Sequence, residues 1–99
     1  MTGRADTIKL LQRNADAIRS RGATALFLFG SAARDELRGD SDVDVFIDYD
    51  HESSFDLIAL AGLQRYLQQI LSREVDVTTR GGLHPGLRSS IEQSSIRVF

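Results

Sequence analysis

The spacing of apolar residues along this chain changes between two periods, and each change marks the boundary of a predicted element. Over about residues 4–20, apolar residues recur three or four positions apart, which predicts an amphipathic helix that ends near Gly22. The next segment, Ala23–Phe29, is apolar throughout and is typical of a buried strand. In segments 43–47 and 73–79, β-branched residues alternate with polar ones, which predicts two further strands.

Two helices are predicted in the connections between these strands. Ser31 is a suitable N-cap for a short helix over residues 31–37, which a polar loop then separates from the second strand. A longer helix follows the second strand and runs to about Leu71, with Ser53 or Ser54 as its N-cap. Its leucines and isoleucines recur at helical spacing, so one of its faces is expected to pack on the sheet.

After the third strand, the chain is predicted to form a last short helix that begins at Pro85, followed by an apolar tail at 96–99 that can add a strand end. Helices and strands therefore alternate along the sequence. This order predicts an α/β (α+β) fold, in which a small mixed β-sheet of three or four strands is flanked by helices. With 99 residues, of which 41% are apolar, the segment 1–99 is expected to form one domain with one core.

Composition excludes several classes of function. The formal net charge of -2 argues against direct binding of nucleic acid, which favours a basic chain. The sequence contains no cysteine, so disulfides and cysteine-based zinc sites are excluded. No apolar run is long enough to span a membrane, and the first residues lack a secretion signal, so a cytoplasmic location is expected.

Two short motifs on neighbouring predicted strands carry the candidate chemistry. Gly30-Ser31 follows the first strand, and ten residues later Asp42 and Asp44 open the second. Residues two apart on a strand face the same side, about 6–7 Å apart, so these carboxylates repel each other unless a cation lies between them. A Gly-Ser turn offers N–H groups and a hydroxyl to phosphate oxygens. Together the motifs predict a site for a nucleoside triphosphate and Mg²⁺.

A third carboxylate, Asp76, lies on the third predicted strand between two valines. A charge among β-branched residues is unfavourable without a partner, and a metal ion shared with Asp42 and Asp44 would supply one. Arg34 falls one turn after Ser31, where it can either reach a phosphate or face solvent. The sequence thus predicts metal ligation by the three aspartates and nucleotide binding by Gly30, Ser31 and Arg34.

These residues resemble those of the DNA polymerase β-like nucleotidyltransferase superfamily. The resemblance rests on Gly30-Ser31, on Asp42 and Asp44 ten residues later, and on Asp76 on a following strand, and it covers nearly the whole chain. The short length and the Gly-Ser-Ala-Ala-Arg turn are similar to the minimal (MNT) branch. The resemblance implies that Asp42 and Asp44 bridge two Mg²⁺ ions, that Asp76 completes the metal site, and that ATP is the nucleotide substrate.

Members of the MNT branch are commonly antitoxins paired with HEPN-type RNase toxins. The resemblance therefore implies transfer of AMP from ATP to a tyrosine of such a partner, which silences the RNase. Two alternatives remain open from the sequence. One is a non-catalytic antitoxin that inhibits its partner by binding alone. The other is a nucleotidyltransferase for a small-molecule acceptor, although 99 residues leave little room for an acceptor-binding domain.

Overall fold

The structure is a computed structural model and describes residues 3–34, 36 and 42–99. From the second strand onward its helices and strands alternate, as the sequence predicts. In chain order the described elements are α1 (Arg4–Arg13), α2 (Ala15–Ser20), β1 (Ala23–Phe29), β2 (Val43–Tyr49), α3 (Leu57–Leu71), β3 (Val75–Thr79), a 3₁₀ turn (Arg80–Gly82), α4 (Arg88–Ser94) and β4 (Ile96–Arg97).

The described strands form one sheet in the order β3-β2-β1-β4. β1 pairs antiparallel with β2 and with β4, whereas β2 pairs parallel with β3. The sheet is therefore mixed, and the predicted fold class is confirmed. The apolar tail contributes β4, so the expected strand end is confirmed as well. No helix in the part of the chain that the structure describes is both long and apolar enough to cross a membrane.

One face of the sheet packs on the helices and forms the core. Val43, Val45 and Ile47 of β2 are fully buried on this face, as their alternation with polar residues predicts. The helices bury Leu11, Ile18, Leu63 and Leu67 against them. The opposite face, called the outer face below, carries the alternate residues of β2 and β3, among them Asp44 and Asp76.

The first helix is not continuous, in contrast to the prediction over residues 4–20. The helical pattern is interrupted at Asn14, which separates α1 from α2. The Asn14 side chain donates to the Leu10 carbonyl at 2.8 Å, and its main-chain N–H donates to the Leu11 carbonyl at 3.1 Å. Asparagine competes in this way with regular helical hydrogen bonds, which explains the break.

Other bounds also differ from the prediction: β2 extends to Tyr49 rather than to residue 47, and β3 begins at Val75 rather than at residue 73. Residues 31–34 form hydrogen-bonded turns rather than a helix, while Asp35, Leu37 and the predicted loop at 38–41 lie outside the described residues. The N-cap of α3 is Asp56, whose carboxylate accepts from the Ala59 N–H at 2.8 Å, and not Ser53 or Ser54. Residues 85–87 form a turn, and α4 begins only at Arg88.

Candidate active site

Asp44 lies at the centre of the predicted site because its strand, β2, lies between β1 and β3, which carry the other parts of the site. On β1 its register partner is Phe29, the residue before Gly30, and on β3 its register partner is Asp76. Neighbouring strands lie about 4.8 Å apart, so the backbones of Asp44 and Asp76 are adjacent. Asp42 comes just before β2 and is exposed, as is Asp76, whereas Asp44 is half-buried.

The turn that follows β1 is fitted closely to the Asp44 carboxylate. Gly30 has a φ of 66°, in the left-handed region that favours glycine. A Cβ atom at this position would lie only 2.8 Å from Oδ2 of Asp44. The absence of a side chain therefore lets the backbone of the turn approach the carboxylate, which brings the two sequence motifs together in space.

Two sets of contacts hold the turn in place. The Arg34 N–H donates to the Gly30 carbonyl at 3.2 Å, and the Glu36 N–H donates to the Ser31 carbonyl at 2.9 Å. Ala32 and Ala33 are buried, and Nη1 of Arg4 donates to the Ala33 carbonyl at 3.0 Å. Sequence analysis missed Arg4, because a contact across 29 residues leaves no local pattern.

The three aspartates repel one another. Burial raises the pKa of Asp44 above the ordinary aspartate value of 3.8, and the negative charges of Asp76 and then Asp42 raise it further. Negative charge is thus concentrated around Asp44, on the outer face and beside the glycine turn.

The donor set suits a hard divalent cation, because all three side chains offer carboxylate oxygens. Among the residues that the structure describes, however, no three Asp, Glu, His or Cys side chains already form a group that could hold a metal ion. The backbones of Asp44 and Asp76 are adjacent, and side-chain rotation would be needed to bring their carboxylates and that of Asp42 onto a common ion.

Of the predicted nucleotide ligands, Gly30 and Ser31 lie in the turn beside Asp44. Arg34 is exposed, and its Nε forms an ion pair with Glu36 Oε2 at 3.3 Å. Exposed ion pairs of this kind contribute little to stability, so the Arg34 side chain can change partners at small cost.

A second cluster on the outer face was not predicted. Arg80 donates to both carboxylate oxygens of Asp48, at 2.8 and 3.0 Å, and to Glu92 of α4 at 2.6 Å. Its guanidinium lies 4.8 and 5.1 Å from the ring centres of Phe27 and Phe46, which stack at 4.6 Å. The cluster explains why Phe46 is fully buried although it lies on the outer face, and it uses Asp48 as an ion-pair partner.

Replacing Asp48 with asparagine should lower stability by about 1 kcal/mol at pH 7, since a half-exposed charge pair contributes little more. The hydrogen bond from Arg80 lowers the pKa of Asp48 below 3.8 in the folded protein. The ionised carboxylate therefore stabilises the fold above pH 3.8, and this contribution is lost as the pH falls through the lower folded value. Urea unfolding at several pH values should show the two proteins converging below pH 3.8.

The exposed Asp16, which pairs with Arg19 at 3.3 Å, provides the control. Asp16→Asn should leave the unfolding free energy at pH 7 close to that of the wild type, because the Asp16 side chain is fully exposed. An Asp48→Asn difference that stays constant down to pH 2.5 would contradict the assignment of the pH dependence to this pair.

A cavity of about 330 Å³ lies at the far ends of β2 and β3, away from the three aspartates. Tyr49, Phe55 and Leu60 are among its lining residues, and none of the predicted site residues lines it. The candidate active site around Asp44 is thus distinct from this cavity.

Comparison with known proteins identifies the family of this chain. Residues 11–98 match the family model of the nucleotidyltransferase domain. The protein named "Putative protein adenylyltransferase MJ1217", from Methanocaldococcus jannaschii, is 37% identical over 75 residues, which cover 75% of this chain and 74% of that protein. "Protein adenylyltransferase MntA" of Thermococcus cleftensis is 30% identical over 77 residues, which cover 78% and 76%.

Solved structures give the same result for the fold. The structure described as a "putative minimal nucleotidyltransferase" superposes with a TM-score of 0.73 at 31% identity, over 90% of this chain and 93% of that chain. An MNT antitoxin solved in complex with the tri-AMPylated HEPN toxin of Shewanella oneidensis has a TM-score of 0.66 at 18% identity, over 93% and 71%. The family resemblance drawn from the sequence is confirmed: this chain belongs to the nucleotidyltransferase domain family, in its minimal branch, and is a nucleotidyltransferase.

Proposed function

We propose that this nucleotidyltransferase moves AMP from ATP to a tyrosine hydroxyl of a HEPN-type RNase and thereby acts as its antitoxin. Relatives named as protein adenylyltransferases support AMP as the transferred group. The MNT antitoxin bound to a tri-AMPylated HEPN toxin, which has the same fold, supports the class of partner. The observation that carries the proposal is the position of Asp44 between the turn at Gly30 and Asp76.

In this proposal the glycine turn binds the triphosphate. The N–H groups of Gly30 and Ser31 and the Ser31 hydroxyl donate to the β- and γ-phosphates. Arg34 exchanges Glu36 for a phosphate oxygen, because its present ion pair is exposed and weak. Binding at this turn places the α-phosphate over the outer face, next to Asp44.

The three aspartates provide the charge that the reaction needs. Two Mg²⁺ ions held by Asp42, Asp44 and Asp76 would stabilise the attacking and leaving oxygens of an in-line displacement. Asp44 would contribute to both ions, because Asp76 is its register partner on β3 and Asp42 precedes it by two residues.

In this proposal Asp76 takes the proton of the attacking hydroxyl. The tyrosine oxygen forms a bond to the α-phosphorus, the bond to the bridging oxygen of the β-phosphate breaks, and pyrophosphate leaves. Each AMP added to the partner brings negative charge and bulk near its RNase site, which would repel the phosphates of RNA.

The test combines this protein with a HEPN-type RNase, ATP and Mg²⁺, followed by intact-mass measurement of the RNase. We expect the partner to gain one or more AMP units on a tyrosine, and we expect EDTA to abolish the gain. Partner silencing with no mass change would instead favour inhibition by binding alone. Transfer to a small molecule, with none to the RNase, would favour a nucleotidyltransferase for a small-molecule acceptor.

A further inference from the structure

Two glutamines of α3 contact the edge strand of the sheet. Oε1 of Gln68 accepts from the Val75 N–H at 3.3 Å, and Oε1 of Gln64 accepts from the Val77 N–H at 3.2 Å. Both glutamines are half-buried. Four residues of helix advance about 6 Å and two residues of strand about 6.6 Å, so both hydrogen bonds can form together.

These N–H groups are the ones that the sheet itself leaves without a strand partner. Among the described strands, β3 lies at the edge of the sheet with only β2 beside it. The Val43 N–H donates to the Glu74 carbonyl at 3.0 Å, and in a parallel ladder that starts in this way alternate residues of β3 bond to β2. Val75 and Val77 therefore direct their N–H groups outward, toward α3.

Asp76 lies between Val75 and Val77, whose N–H groups donate to the two glutamines. The main-chain N–H and carbonyl groups of Asp76 are directed toward β2, and its side chain lies on the outer face beside Asp44. Any opening of β3 at this point would move the Asp76 carboxylate away from Asp44, because an edge strand is held by only one neighbouring strand.

We propose that Gln64 and Gln68 are positioning residues, which hold β3 in register with β2 and thereby keep Asp76 beside Asp44. The two glutamine hydrogen bonds do not depend on the reaction. Their effect on the Mg²⁺ requirement rests on the proposed function, in which Asp76 is a metal ligand. Groups that orient metal ligands typically change metal affinity by 10- to 100-fold when they are replaced.

The experiment compares two double variants and one single variant with the wild type. Gln64→Met with Gln68→Met keeps the length of both side chains and removes both acceptors. Gln64→Glu with Gln68→Glu keeps an acceptor oxygen at each position. The exposed Gln69 of the same helix provides the matched control as Gln69→Met. Amide hydrogen exchange is measured at Val75, Asp76 and Val77 in each folded protein, and AMP transfer is measured across a Mg²⁺ titration.

We expect faster exchange at all three amides in the Met pair, and a half-saturating Mg²⁺ concentration about tenfold higher than in the wild type. The Glu pair and Gln69→Met should stay close to the wild type in both measurements. Unchanged exchange at Asp76 in the Met pair would overturn the inference, as would faster exchange with an unchanged Mg²⁺ requirement. If the wild type itself transfers no AMP, the proposed function fails, and the exchange rate at Asp76 still decides whether the glutamines hold the strand.

Discussion

Replacing Asp44 with asparagine should reduce AMP transfer by at least about a thousandfold, which corresponds to about 4 kcal/mol of lost transition-state stabilisation. Asparagine has the same shape but lacks the charge that would hold metal ions. Among the described residues, Asp44 is the acid that lies beside both the glycine turn and Asp76, so none of the other described carboxylates can take its place. Intact-mass measurement of the partner at early times gives the rate.

The same change should not weaken the fold. The pKa of Asp44 is raised in the folded protein, first by burial and then by Asp76 and Asp42, so its ionised form opposes folding at neutral pH. In metal-free buffer, Asp44→Asn should therefore unfold at the same temperature as the wild type or a higher one. Asp16→Asn, on the exposed face of α2, removes a charge elsewhere and should keep full transfer. Transfer by Asp44→Asn within tenfold of the wild type would refute the assignment.

The strands and the candidate site could be predicted from the sequence because their signals are local. The apolar run of β1 and the alternation in β2 each lie within one element, and Asp42 and Asp44 are only two residues apart at the start of β2. The register that brings Asp76 beside Asp44 was a hypothesis from chemistry alone, and the structure pairs their backbones. Their roles as ligands remain a prediction.

The supporting contacts could not be predicted. Some join residues that are distant in sequence, and at Asn14 a side-chain hydrogen bond competes with the helical hydrogen bonds of the main chain. Arg80 reaches Asp48 across 32 residues, and Arg4 reaches Ala33 across 29. The break at Asn14 depends on whether one side chain bonds to its own helix or to solvent, which periodicity does not record. Phe46 occupies a position whose alternation predicts a polar face, and it is buried because aromatic rings and Arg80 cover it.

Replacing Gly30 with alanine should reduce AMP transfer by about a hundredfold, or about 3 kcal/mol, and lower stability by about 1–2 kcal/mol. The stability loss arises because φ is 66° at this position, where an L side chain is strained. The activity loss has a different cause. The new methyl group would lie 2.8 Å from Oδ2 of Asp44, so either the carboxylate or the turn must move.

Gly22, at the opposite end of β1, separates these two effects. Its φ of 113° is also positive, and a Cβ there would meet the ring of Phe55, far from the three aspartates. Gly22→Ala should therefore destabilise the protein at least as much as Gly30→Ala, but transfer per folded molecule should remain near the wild-type rate. Both rates are measured at a temperature at which circular dichroism shows each variant to be folded. If the two variants lose transfer equally, backbone strain alone explains the loss, and the close approach of the turn to Asp44 has no part in the reaction.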